Sequence, residues 1–285
     1  MMDMLLDTKN CETIYKSLEL ILGIPDTEIY SYAKKKALES DRYSKSVYSD
    51  EKEHFLNWIN SKVVNKEDLD IDNVTIFHYA RRLETAEELK TMPLYNLKEI
   101  VNSENKITSF LKEYNIRFVS NDDDIKCFYK GVELDFLNTR NRLNKDRCIN
   151  GYLFGGEIYK ETEISGIKFC PEFIQDIEKV IKEQILGIDS KLDLQYDYQK
   201  RSKSFIFKVR VPIDELIFDR CRYGHEGEKK YNIVEIYNNL GSCLINKMQN
   251  KRIRNRIIRL KDDATVKIDD VLDISEVPDD KLYDI

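Results

Sequence analysis

The chain has 285 residues, of which 41% are hydrophobic, 11% aromatic and 34% charged, with a net charge of -6. This is enough apolar material to bury one large or two modest domains, and too much to leave the chain disordered. No window approaches the roughly 18 consecutive apolar residues of a membrane span, and Met1 to Leu6 is too short and too acidic for a signal peptide, so a cytoplasmic protein without a membrane partner is expected.

The first third reads as helical. Ile14, Leu18 and Ile21 recur at helical spacing, Pro25-Asp26-Thr27 opens a second helix through Tyr30, Tyr32 and Ala37, and Ser49-Asp50 precedes a third carrying Phe55, Leu56, Trp58 and Ile59. Residues 1–70 are therefore predicted to form a helical N-terminal segment, and 71–285 an α+β domain. Its first element is the β-prone run Val74 to Leu83, which contains His78. Thr85-Ala86-Glu87-Glu88 then has the form of a capping box, so strand passes directly into helix. Pro93 ends that helix, and Ile107, Phe110 and Leu111 share the face of another that runs to Tyr114.

A hairpin is predicted from Ile116–Val119 and Ile125–Tyr129, followed by Val132–Phe136. Gly151, Gly155, Gly156, Gly166 and Pro171 mark a loop region interleaved with Tyr152, Phe154 and Tyr159, suited to close backbone approach. Pro171-Glu172 opens an amphipathic helix through Phe173, Ile177, Ile181 and Ile185, stopped by Gly187. Ser204 to Val211 is the clearest strand, and short strands at Ile257–Leu260 and Val271–Ile274 follow. The fold class expected is α+β: a helical N-terminal segment followed by a mixed, mostly antiparallel sheet flanked by helices.

Cys11, Cys127, Cys148, Cys170, Cys221 and Cys243 include no Cys-x-x-Cys pair, and His54, His78 and His225 lack the short spacings of ligand pairs. Reduced thiols and no metal site are expected. The chain also lacks a Gly-x-Gly-x-x-Gly, a Gly-Lys-Ser/Thr and a Gly-x-Ser-x-Gly motif, which disfavours Rossmann, P-loop and α/β-hydrolase classes. Glu88-Leu89-Lys90 falls in a predicted helix rather than on the strand that a restriction-type nuclease needs.

The constellation with the most chemistry is His78-Tyr79 with Arg81 and Arg82 at a strand end, the stretch Gly151 to Gly156, and Glu172 at a helix start. Phe77-His78-Tyr79 leading into Arg81-Arg82-Leu83 and a capped helix resembles the first strand of the ADP-ribosyltransferase fold. The resemblance covers residues 74–215 at most. It implies NAD as the consumed substrate, His78 on the NAD ribose, His78, Tyr79 and Arg81 as NAD contacts, and Tyr129 or Tyr152 as the stacking ring. It also implies Glu172 as the carboxylate that stabilises the oxocarbenium-like ribose. The family's glutamate lies on or beside a strand, whereas Glu172 heads a predicted helix, so Glu215 is the alternative. The acceptor would be a protein or nucleic acid, and the setting that of a toxin or antiviral effector.

Two other readings stand beside it. Arg220 and His225 have the spacing of the HEPN ribonuclease motif, although Gly224 and Gly227 interrupt the helix which that family uses. A non-enzymatic interaction protein is the other, suggested by 17 tyrosines and by opposed C-terminal charges. Residues 247–261 carry Lys247, Lys251, Arg252, Arg254, Arg256, Arg259 and Lys261 without an acid, while nine acids follow in 262–285 and could fold back to neutralise them.

Overall fold

A computed structural model of the chain describes residues 4–42, 50–63, 69–121, 124–135, 147–156, 158–187, 190–218, 228–253 and 255–283. The fold is α+β, with a mostly antiparallel sheet flanked by helices. Two compact units divide the chain, and each is assembled from separated segments: 1–77, 150–156 and 210–259 in the first, and 78–149, 157–209 and 260–285 in the second. The helices of 1–70 thus share a unit with chain from the far end of the sequence.

In the first unit, β1 (Leu5–Leu6) pairs in parallel with the start of β2 (Asn73–Arg82). Phe77 of β2 pairs with Tyr152 of β6 (Asn150–Tyr152), which pairs in turn with β9 (Ile257–Leu260), and β8 (Leu216–Phe218) lies beside β9. Helices α1 (Cys11–Leu22), α2 (Asp26–Arg42) and α3 (Asp50–Lys62) follow the predicted spacing. A later helix, Lys229–Met248, packs on α2 and α3 and buries Ile236, Tyr237, Leu240 and Leu244. Its Asn232 amide donates to Ile213 O at 2.8 Å and Leu216 O at 2.9 Å, so a buried polar side chain holds its start.

The second unit contains the end of β2 and its capped helix α4 (Ala86–Leu89). It continues through α5 (Leu97–Asn102) and α6 (Lys106–Glu113) to a three-stranded antiparallel sheet of β3 (Ile116–Asn121), β4 (Asp124–Tyr129) and β5 (Val132–Glu133). Alternation on β4 turns Ile125, Cys127 and Tyr129 inward. They meet Phe173, Ile174, Ile177 and Ile181 of α7 (Glu172–Ile181), with Phe110 and Leu111 of α6, in one apolar cluster. Helix α8 (Leu194–Arg201) adds Leu194 and Tyr198 to it. Strand β7 (Lys203–Pro212) pairs antiparallel with β10 (Val271–Val277), matching Val277 to Ser204. The helix Lys229–Met248 is α9 in chain order, and Asp279–Tyr283 is α10.

The acidic tail therefore supplies strand β10, paired with β7. Glu276 meets Lys203 at 2.8 Å, Asp279 meets Arg81 at 3.1 Å and Asp263 meets Arg147 at 3.4 Å, so these carboxylates are directed to cations outside the basic stretch 247–261. Among the described residues, no helix is long and apolar enough to cross a membrane, and no cluster of His, Cys, Asp and Glu could hold a metal ion.

Candidate functional site

Successive side chains of a strand point to opposite faces, and this alternation divides the residues that the sequence groups at 78–82. Tyr79 and Arg81 share one face and are buried, whereas His78 and Ala80 share the other and are half-buried. The His78 ring lies 5.9 Å from that of Phe207 on β7, tilted by 46°. His78 and Arg81 thus leave opposite faces of the strand.

Arg81 is the centre of a polar network inside the second unit. Its Nε donates to Ser202 Oγ at 2.8 Å. Nη1 donates to Ser204 Oγ at 3.1 Å, Asp279 Oδ1 at 3.1 Å and Lys168 O at 3.3 Å, and Nη2 to Gln199 O at 2.7 Å and Ser202 O at 2.9 Å. A guanidinium has five N–H groups, and these acceptors use them all. The Tyr79 hydroxyl donates to Lys168 O at 3.0 Å and lies 2.9 Å from Ser204 Oγ. Burial pushes this phenol up to about 12, with Ser204 and Arg81 pulling the other way. Tyr198, wholly buried, donates to the Arg81 carbonyl at 2.9 Å. The network fastens β2 to β7, to the 168 carbonyl and to the chain end, where Lys168 Nζ donates to Leu282 O at 2.7 Å.

Arg82, on the opposite face from Arg81, is also buried. Its Nε stands 3.8 Å from Glu84 Oε2, and neither atom has a hydrogen-bond partner.

The remaining expected residues have settings of their own. Tyr129 is 4% exposed within the apolar cluster, so its ring faces are covered by protein and Lys130 Nζ sits 5.2 Å from its centroid. Tyr152 belongs to the first unit as a buried strand residue. The stretch around it, expected as a loop, contains strand β6, and its glycines serve chain packing: a Cβ at Gly155 would lie 2.7 Å from Lys9 O, and one at Gly151 3.2 Å from Phe77 O. Glu172 is exposed in the first turn of α7, where the helix dipole favours a carboxylate. Glu215 is half-buried in a short 3-10 turn of the first unit. Arg220, His225 and Arg254 lie outside the described residues.

Sequence reasoning missed Ser202, Ser204 and Lys168 as the partners of the arginine. Two serines at alternate positions entering a strand, opposite an arginine at an inward position, were the available signal. Comparison with family models, curated proteins and solved structures finds no match.

Proposed function

We propose that this chain is an NAD-consuming ADP-ribosyltransferase that passes ADP-ribose to a protein or nucleic-acid acceptor. The observation that carries this reading is the setting of His78. Tyr79, Arg81 and Arg82 around it are buried, whereas this imidazole is half-buried, braced by Phe207, on a strand that leads at once into the capped helix α4.

As the resemblance implies, His78 contacts the ribose of NAD, an imidazole being able to hydrogen-bond a hydroxyl. Tyr79 and Arg81 act from behind by fixing the strand, rather than by touching NAD. The bond between the ribose and nicotinamide breaks, nicotinamide leaves, and an exposed carboxylate, for which Glu172 is the choice, stabilises the oxocarbenium-like ribose until the acceptor nucleophile adds and loses its proton. Modification of a macromolecule suits a toxin or antiviral effector, by analogy of fold.

Incubation with NAD labelled in the adenylate moiety tests the reading. Label moves to an acceptor with the wild-type chain and is lost in His78→Ala and Glu172→Gln. Undiminished transfer in both variants removes these residues from the reaction.

A second reading, a non-enzymatic interaction protein, is favoured by one surface of the second unit. A hollow of about 430 Å³ is lined by Gln175, Gln195, Gln199 and Tyr196, and Tyr196 and Tyr283 are 53% and 63% exposed. Melting with and without NAD separates the two: a ligand at 100 times its Kd stabilises by about 2.7 kcal/mol, which the interaction reading does not give.

A further inference from the structure

Helix α2 carries three consecutive lysines, Lys34, Lys35 and Lys36, and two hollows open along its exposed side in the first unit. One, of about 490 Å³, is lined by Tyr32, Lys35 and Lys36 of α2 and by His54, Trp58 and Lys62 of α3. The other, of about 420 Å³, is lined by Lys34 and Leu38. Ser31 and Lys35 line both, so they form a ridge between adjoining hollows. Positions 31, 34, 35 and 38 share one helical face, which lets a single helix wall both.

Trp58 is the chain's one tryptophan and is half-buried. Its ring stacks on that of Tyr32 at 4.5 Å and 25°, and the wholly buried Phe55 ring lies 5.9 Å away. A Cβ at Gly241 of α9 would overlap Phe55, so a glycine there lets α9 close on this aromatic group. The indole is therefore fixed, and its open part lines the larger hollow. Lys36 meets Glu39 at 2.8 Å and Lys62 meets Glu28 at 2.7 Å, whereas Lys35 is 75% exposed and comes only to 4.0 Å from Glu39. Glu28 and Glu39 are the acids among the described lining residues, against Lys34, Lys35, Lys36, Lys62 and His54, so cations are in local excess on a chain of net charge -6. Gln249 Nε2 donates to Ala37 O at 2.9 Å, which brings the exposed Lys247, Lys251 and Arg252, the start of the acid-free stretch 247–261, beside the same helix.

We propose that the first unit binds single-stranded nucleic acid across α2, with a base on Trp58 and phosphates on Lys34, Lys35 and the basic stretch that starts at Lys247. A strand presents rings and phosphates in alternation, which an aromatic surface followed by cations matches. Every base has a face to stack, so binding tolerates sequence. An acidic peptide would use the lysines and leave Trp58 without a role. A free nucleotide would fill one hollow, whereas the shared ridge of Ser31 and Lys35 gives a longer ligand a path from one to the next. The binding needs neither NAD nor His78.

The test titrates the full chain, without NAD, against an oligothymidylate of about 12 nucleotides and reads both the anisotropy of the labelled strand and the fluorescence of Trp58. The strand is expected to bind with saturable quenching of Trp58, and log affinity to fall against log salt with a slope of about -2 or steeper, as three phosphate contacts on a single strand require. Lys34→Glu combined with Lys35→Glu, both at exposed positions, is expected to keep the melting temperature and weaken binding by about 10-fold or more. An abasic strand of the same length is expected to bind and leave Trp58 unquenched. No binding at low salt, binding without a change in Trp58, quenching by the abasic strand, or binding unaltered by the two lysine reversals overturns the proposal. Equal affinity for thymidine monophosphate or for polyglutamate overturns it as well, in favour of a free nucleotide or an acidic peptide.

Discussion

Arg81 and Arg82 stand side by side on β2, are 3% and 8% exposed, and point to opposite faces of the strand. Around Arg81, two serine hydroxyls, three carbonyls and the Asp279 carboxylate accept every N–H group, whereas Arg82 Nε has no partner and Glu84 stops at 3.8 Å. The same side chain at the same depth therefore has two energetic characters. A saturated buried guanidinium supports the sheet; a buried pair with open hydrogen-bonding positions bears the desolvation of two charges with little return.

The largest effect is expected from Arg81→Met. It takes the guanidinium donors from the carbonyls of Gln199 and Ser202, leaves Lys168 O to the Tyr79 hydroxyl, and lowers the unfolding free energy by about 3 to 5 kcal/mol in urea titration. Arg82→Met alone leaves Glu84 buried without a cation and costs about 3 kcal/mol, but Arg82→Met with Glu84→Leu is expected to be neutral or stabilising by about 1 kcal/mol. Equal losses in Arg81→Met and in that double variant would erase the distinction between the two arginines.

Smaller changes sharpen it. Tyr79→Phe removes one hydroxyl from the network and is expected to cost about 1 kcal/mol. Asp279→Asn removes only the partner that is 55% exposed, and its cost should stay within about 0.5 kcal/mol; a larger loss would move the weight of the network to the chain end.

Beyond the strand, Glu88 accepts from Lys106 at 2.6 Å and from Thr85 N at 2.8 Å. Its hydrogen bond to Lys106, then those to Thr85, hold the carboxyl down at about 2. A depressed carboxyl stabilises above its ordinary 4.5 and loses that contribution as pH falls towards about 2. Glu88→Gln should flatten the stability curve in that window alone, as read by melting temperature against pH.

Local pattern made much of the fold legible. The run Val74 to Leu83, the strand Ser204 to Val211, the hairpin over 116–129 and the helix after Pro171 all show their period within their own sequence. Elements fixed by distant chain were not. Strand β1 is two residues long and exists through its pairing with Asn73 and Val74. Strand β6 contains Gly151, a residue poor in strand propensity, held by pairing with β2 and β9. Helix α9 buries Asn232, Asn238, Asn239 and Gly241 as well as its apolar residues, so no simple stripe announces it.

The strand placement of the candidate residues was legible only in part. His78 was identifiable as a polar residue inside a β-prone run. Grouping it with Tyr79 and Arg81 neglected the two-residue period of the strand, which already separates 78 from 79 and 81. Tyr129 was drawn into the site for its aromatic ring, yet the alternation Ile125, Cys127, Tyr129 marks it as core.

The assignment of NAD contact to His78, with Tyr79 and Arg81 as its structural support, is tested most directly by comparing label transfer from NAD in the wild type, His78→Ala and Tyr79→Phe at equal folded fraction. The expected result is a loss of about 100-fold or more in His78→Ala with little change in melting, and transfer retained in Tyr79→Phe despite its lower melting temperature. Transfer by His78→Ala at the wild-type rate, or no transfer by the wild type to any offered protein or nucleic acid, would contradict it.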